Sequence, residues 1–180
     1  MSNVLIGIIG VILFIGLALA GALILGDDFR SSRSSTIAAK VVSDMQQIVA
    51  AVNMRNLKTG QTMSAVDYET NVASMVPRFL KVEPKVPLSG ATYRTVDVDG
   101  FGRAMPIHHI QARLGPEGDE VAKAVCREIE AQRGATDPDA AIAAVTTTAG
   151  WTARVNSGGR NVGCFLYTIN GSGYNAFLLI

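Results

Sequence analysis

Residues Val4–Leu25 read VLIGIIGVILFIGLALAGALIL, and no ionisable side chain occurs before Asp27. As a helix this run would rise about 33 Å, close to the hydrocarbon thickness of a bilayer. A helix that is apolar all round needs lipid or many neighbours to cover it. A secretory signal peptide fits poorly, because Met1-Ser2-Asn3 carries no basic residue and the apolar run is too long. Small residues recur at every fourth position, as Gly16 and Ala20 and as Ala18, Ala22 and Gly26. That spacing allows helices to pack closely in an apolar medium, although glycine and alanine are also common in membrane helices generally.

The chain then changes character. Asp27–Ser35, DDFRSSRSS, is either a break or a solvated helical turn. Beyond it, Ile37, Val41, Met45, Ile48, Val49 and Val52 recur at three- and four-residue intervals, the pattern of a helix with one buried stripe. Lys40, Ser43, Asp44, Gln47 and Asn53 fall on its other faces, and Gly60 marks its end. If the junction stays helical, one helix runs from Val4 to Met54. A second helix is expected over Ser64–Val76, capped by Ser64 and Asp67 and ended by Pro77. Strands are expected over Thr92–Val98, Phe101–Met105 and Ile107–Leu114, with Asp99-Gly100 as a hairpin turn. Glu117–Arg133 reads as a helix stopped by Gly134, and Asp137-Pro138 opens an Ala-rich helix to about Thr146. Trp151–Val155, Val162–Ile169 and Tyr174–Ile180 read as strands, the last apolar enough to be buried. The pattern is α+β: a long N-terminal helix, apolar in its first half and amphipathic in its second, packed on an antiparallel β-sheet with additional short helices. Its divisions are an apolar transmembrane or core segment (1–26), an amphipathic continuation (27–58) and a globular head (59–180).

The formal net charge of +1 argues against nucleic acid as the main partner, because phosphate binding needs a concentrated basic face. Cys126 and Cys164 are the only cysteines and lack the close spacing of a zinc site. They fit one disulfide in an oxidising compartment, with two buried thiols as the alternative. As adjacent strand residues, His108 and His109 point to opposite faces and read as packing or surface histidines. Ser157-Gly158-Gly159-Arg160 lacks the ending of a phosphate loop. The acidic pairs Asp27-Asp28 and Asp119-Glu120 sit at a helix junction and a helix start. No catalytic, metal or cofactor site is expected.

Three segments together resemble the type IV pilins, the type IVb group in particular. An uncharged apolar helix runs directly into IAAKVVSDMQQIVAAVNMRNLKTG (37–60). A proline-ended segment, MVPRFLKVEPKVPLSG (75–90), leads to the strand ATYRTVDV (91–98). A helix with one cysteine, EVAKAVCREI (120–129), precedes a late strand with the other, NVGCFLYTI (161–169). The resemblance is one of architecture over essentially the whole chain, without a long identical motif. It implies a Cys126–Cys164 disulfide bounding a filament-exposed region, and a helical filament whose core is a bundle of apolar helices. Leu5, Gly16, Ala18, Ala20, Ala22 and Gly26 would pack that core.

The resemblance further implies that subunits wait in the inner membrane with the head in the periplasm, are assembled by pilus machinery, and end in an extracellular filament serving adhesion, aggregation or conjugative cell contact. Family precursors carry a basic leader, removed by a peptidase that methylates the new N-terminal residue, here Met1. Such a leader would reconcile a periplasmic head with Arg30 and Arg33, which alone favour a cytoplasmic one. The family's glutamate at the fifth position is Leu5 here, so the N-terminal amine must find another partner. A minor pilin, a secretion pseudopilin and a non-polymerising membrane-anchored periplasmic domain are the alternative readings. Mass spectrometry of the native protein is expected to find Met1 exposed by cleavage and methylated; an unprocessed, unmethylated terminus would contradict the family's route.

Overall fold

A computed structural model describes residues 2–66, 70–97, 107–142, 144–145, 147, 150, 153, 161–168 and 171–180; within the first helix, side chains are described for residues 7–21 and 31–59. The chain divides into two compact units, Met1–Ser34 and Ser35–Ile180. Helix α1, Ser2–Thr59, contributes to both and is unbroken through residues 27–35. Gly60 ends it in a left-handed conformation (φ 66°), its N–H donating to the Asn56 carbonyl at 2.9 Å. The Asn56 side chain then accepts the Met63 N–H, turning the chain back along the helix.

Ser35–Ile180 is built on a five-stranded sheet of spatial order β1-β2-β5-β4-β3. Its strands are β1 (Arg94–Val96), β2 (His109–Pro116), β3 (Ala144–Val145), β4 (Val162–Tyr167) and β5 (Gly173–Leu179); the helices α2 (Thr70–Ser74), α3 (Glu120–Gln132) and α4 (Pro138–Ala141) lie between them in sequence. The fold is α+β. Strands β1, β2, β5 and β4 pair antiparallel, whereas β3 pairs parallel with β4, so the sheet is mixed at one edge.

The stripe expected on α1 is the centre of the core. Val41, Met45 and Ile48 are fully buried, with Ala38, Ala51 and Val52, in one cluster with Ile110, Ala112, Ala176 and Leu178 of the sheet and Val125, Cys126 and Ile129 of α3. A second cluster joins Val96, Val145, Phe165 and Phe177. Along β5, Ala176 and Leu178 belong to the first cluster and Phe177 to the second, as strand alternation requires when both faces are covered.

Local signals place α3 and α4. Asp119 caps α3 by accepting the N–H groups of Val121 and Ala122, and Asp137 caps α4 through the Ala140 N–H with Pro138 in its first turn. Gly134, at φ 87°, lets the Ala135 N–H reach back to the Glu130 carbonyl and closes α3.

Several expectations need correction. Among the described residues of Ser64–Val76, helix covers Thr70–Ser74, and the proposed cap Asp67 lies outside the described residues. Asn71 instead donates to the Ser64 carbonyl and to Thr95 Oγ1, tying the preceding segment to β1. The pairing partner of β1 is β2, with Thr95 opposite Ile110; the Asp99-Gly100 turn and Phe101–Met105 lie outside the described residues. The Ala-rich helix stops at Ala141, and Ala144–Val145 pairs with Leu166 and Tyr167 because β-branched Val145 buries against the aromatic cluster. Asp44, expected on an outer face, is buried: it pairs with Lys40 and accepts a 3.1 Å bond from the Tyr93 hydroxyl. Burial, reinforced by that carboxylate, pushes the Tyr93 phenol up, so it remains a donor. Trp151–Val155 lies largely outside the described residues.

His109 is fully buried, edge-on to Phe177 at 6.5 Å between ring centroids. Burial, aided by the neighbouring His108, pushes its pKa down to about 3. The unfolded chain takes up this proton near the ordinary histidine pKa while the folded chain does not, so stability is complete above that value and falls with pH down to about 3. Roughly 2 kcal/mol should be lost between about pH 8 and about pH 5 in urea unfolding, and His109→Gln should flatten that dependence. An unchanged slope in the variant would assign it to other groups.

Candidate functional site

In the Met1–Ser34 unit, the side chains described over residues 7–20 all face outward. Ile8, Ile9, Val11, Ile12, Leu13, Phe14, Ile15, Leu17 and Leu19 are exposed, Phe14 by 74% and Leu17 by 73%. They point in every direction around the helix, so no arrangement of one face would cover them. Fully burying one such side chain is worth roughly 1.5–3 kcal/mol, so on the order of 10 kcal/mol of burial remains unrealised within one chain. Apolar patches on this scale mark a surface that another protein or a lipid phase covers.

The small residues open gaps in this surface. A Cβ added at Gly7, Gly10, Gly16 or Gly21 would meet nothing within 4 Å. Gly16, Ala18 and Ala20 are exposed side by side with the larger residues. Leu5, Ala22 and Gly26 lie in α1, but their side chains, like Met1, are outside what is described. Among the described residues no helix is long and apolar enough to cross a membrane. Side chains are described for only 7–21 of the apolar run, short of the roughly 20 residues that a crossing takes.

In the Ser35–Ile180 unit, Cys126 of α3 and Cys164 of β4 form a disulfide, with Cα atoms 5.5 Å apart and both residues fully buried. Around it stands a polar group that the periodicity of α3 does not reveal. Glu130, four residues beyond Cys126 and fully buried, accepts the Cys164 N–H through Oε1 at 2.6 Å. Its Oε2 lies 3.5 Å from Arg133 Nε. The Arg133 guanidinium crosses above Gly163, where a Cβ would stand 2.6 Å from Arg133 Nη1 and 2.7 Å from Phe177 Cζ. Only glycine fits there. The sequence signal was the Cys126–Glu130 spacing, which places both on one face of α3.

Elsewhere, Tyr174 is buried, and its phenol is pushed up by burial and by the carboxylates of Glu120, Glu117, Asp119 and Asp139. Among the described residues no group of three or more His, Cys, Asp or Glu has the arrangement to hold a metal ion. The Ser157–Arg160 loop lies outside the described residues. No family model, no curated protein and no solved structure matches the chain.

The bond between Cys126 and Cys164 closes a loop long enough to stabilise the fold by about 4 kcal/mol in the chain-entropy model. Denatured without reductant, the protein is expected to leave both cysteines unlabelled by a thiol probe, and reduction should lower its unfolding midpoint. Full labelling before reduction would contradict the disulfide.

Proposed function

We propose that the chain is a structural subunit of a type IVb-like pilus, polymerising through its N-terminal helix. The observation that carries this reading is the outward-facing apolar surface of residues 7–20, interrupted by Gly16, Ala18 and Ala20. A surface apolar in all directions is satisfied equally by lipid tails and by several copies of itself. The subunit therefore waits in the inner membrane with its head in the periplasm, and the same side chains pack against neighbouring helices once assembled. The small residues allow backbones to approach where dispersion, rather than water exclusion, supplies the attraction. The Cys126–Cys164 bond suits the reading, because a head held outside the cell has no chaperone or reductant supply and benefits from a covalent tie. The role is structural rather than enzymatic, in adhesion, aggregation or conjugative contact between cells.

Negative-stain microscopy of sheared surface material is expected to show thin filaments containing this chain. Gly16→Leu or Ala20→Leu should still insert into membranes but reduce filament yield severalfold or more, because a leucine side chain holds neighbouring helices apart. Normal function with unchanged membrane insertion would instead identify a non-polymerising anchored domain, and filaments absent from wild-type cells would exclude a major subunit.

A further inference from the structure

We propose that Glu130 is the positioning residue for closure of the Cys126–Cys164 bond: its carboxylate sets Cys164 opposite Cys126 before the sulfurs are joined. The inference stands apart from the filament proposal, since it concerns only the Ser35–Ile180 unit.

The geometry is that of a second fastening beside the first. Cys126 and Glu130 are one turn apart on the buried face of α3. Cys126 reaches β4 through its sulfur, and Glu130 reaches the backbone of the same residue, Cys164, through a 2.6 Å bond. A helix that holds the Cys164 N–H with Glu130 therefore presents Cys126 to the Cys164 side chain, at a Cα separation of 5.5 Å that lies within the usual disulfide range. The acceptor is charged and buried, which makes the hydrogen bond stronger than a neutral one. Arg133 steadies the other oxygen from a site that Gly163 leaves open. Burying a carboxylate is costly, and a neutral residue would pack α3 against the sheet at least as well. A role in registering the helix on the strand accounts for its presence.

The covalent step needs an external oxidant, a low-molecular-weight disulfide. The Cys164 thiolate attacks that disulfide, forming a mixed disulfide and releasing one small thiolate. The Cys126 thiolate, its proton lost to solvent, then attacks Cys164 Sγ, and the second small thiolate leaves. Two protein thiols are oxidised and one small disulfide is reduced to two thiols. Glu130 acts on the second, intramolecular attack, whose rate and equilibrium follow the effective concentration of one sulfur at the other.

The test equilibrates the full chain, reduced and folded in detergent micelles, with a series of glutathione and glutathione-disulfide ratios. Acid quenching and alkylation then give the effective concentration of the cysteine pair. Glu130→Ala should lower it about tenfold, as expected for loss of a hydrogen bond to a charged acceptor. Glu130→Gln, whose amide oxygen still accepts, should stay within about threefold of the native value. An unchanged effective concentration in Glu130→Ala, with equal losses of stability in the oxidised and reduced forms, would overturn the proposal by assigning Glu130 to general packing. Should the reduced alanine variant fail to fold, hydrogen exchange decides in the Cys126→Ser, Cys164→Ser chain with Glu130 intact. The amide of position 164 should remain protected without the covalent bond, and its loss of protection would overturn the proposal.

Discussion

Helix α1 has to bury a stripe running from Ala38 to Val52, and the Ser35–Ile180 unit is arranged around that requirement. The stripe is completed by alternate residues of the sheet and by one face of α3, so the elements share a single core cluster. An amphipathic helix of this kind gains most of its stability from packing rather than from propensity. The sheet supplies the surface, and α3 closes the core beside it. The other sheet face has a smaller cluster of its own, centred on Phe165 and Phe177.

Two buried carboxylates make the packing specific. Asp44, on the core helix, accepts from Tyr93 just ahead of β1 and pairs with Lys40, whose side chain is 58% exposed while that of Asp44 is 2% exposed. The charge is thus half-shared with solvent, which limits its desolvation cost. Glu130, on α3, accepts from the backbone of β4. Apolar contacts tolerate sliding by part of a turn, whereas a buried acceptor bonded to a donor fixed on another element does not. The two acids fix the longitudinal positions of the two helices on the sheet.

Much of this was legible in the sequence, and the parts that were not share a cause. The α1 stripe, the cap Asp137, the stop at Gly134 and the buried β5 all follow from local spacing, which a single chain displays directly, whereas the helix expected from Glu117 begins at Glu120 with Asp119 as its cap. The pairing of β1 with β2 was not legible, because it is a longer-range choice that no local turn signal announces. Ala144–Val145 was read as helix because alanines dominate the segment, and only the aromatic cluster across the sheet makes Val145 a strand residue. Asp44 and Glu130 were invisible as buried acids because their donors, Tyr93 and Cys164, lie 49 and 34 residues away. The apolar run was legible for the opposite reason: a stretch without an ionisable side chain, whose described residues 7–20 are exposed all round, needs no tertiary partner to be recognised.

The arrangement at Cys164 bears also on how a sheet avoids its own kind. Among the described strands, β3 pairs with β4 only at Leu166 and Tyr167, leaving the earlier part of β4 without a flanking strand. Bare strand flanks are templates for pairing with other molecules. The Glu130 carboxylate takes the Cys164 N–H on that flank, and the Arg133 guanidinium lies across Gly163 beside it. A charged, side-chain-blocked margin is unsuited to receiving another chain's backbone. Such a margin resists sheet-to-sheet pairing without any need for a covering strand.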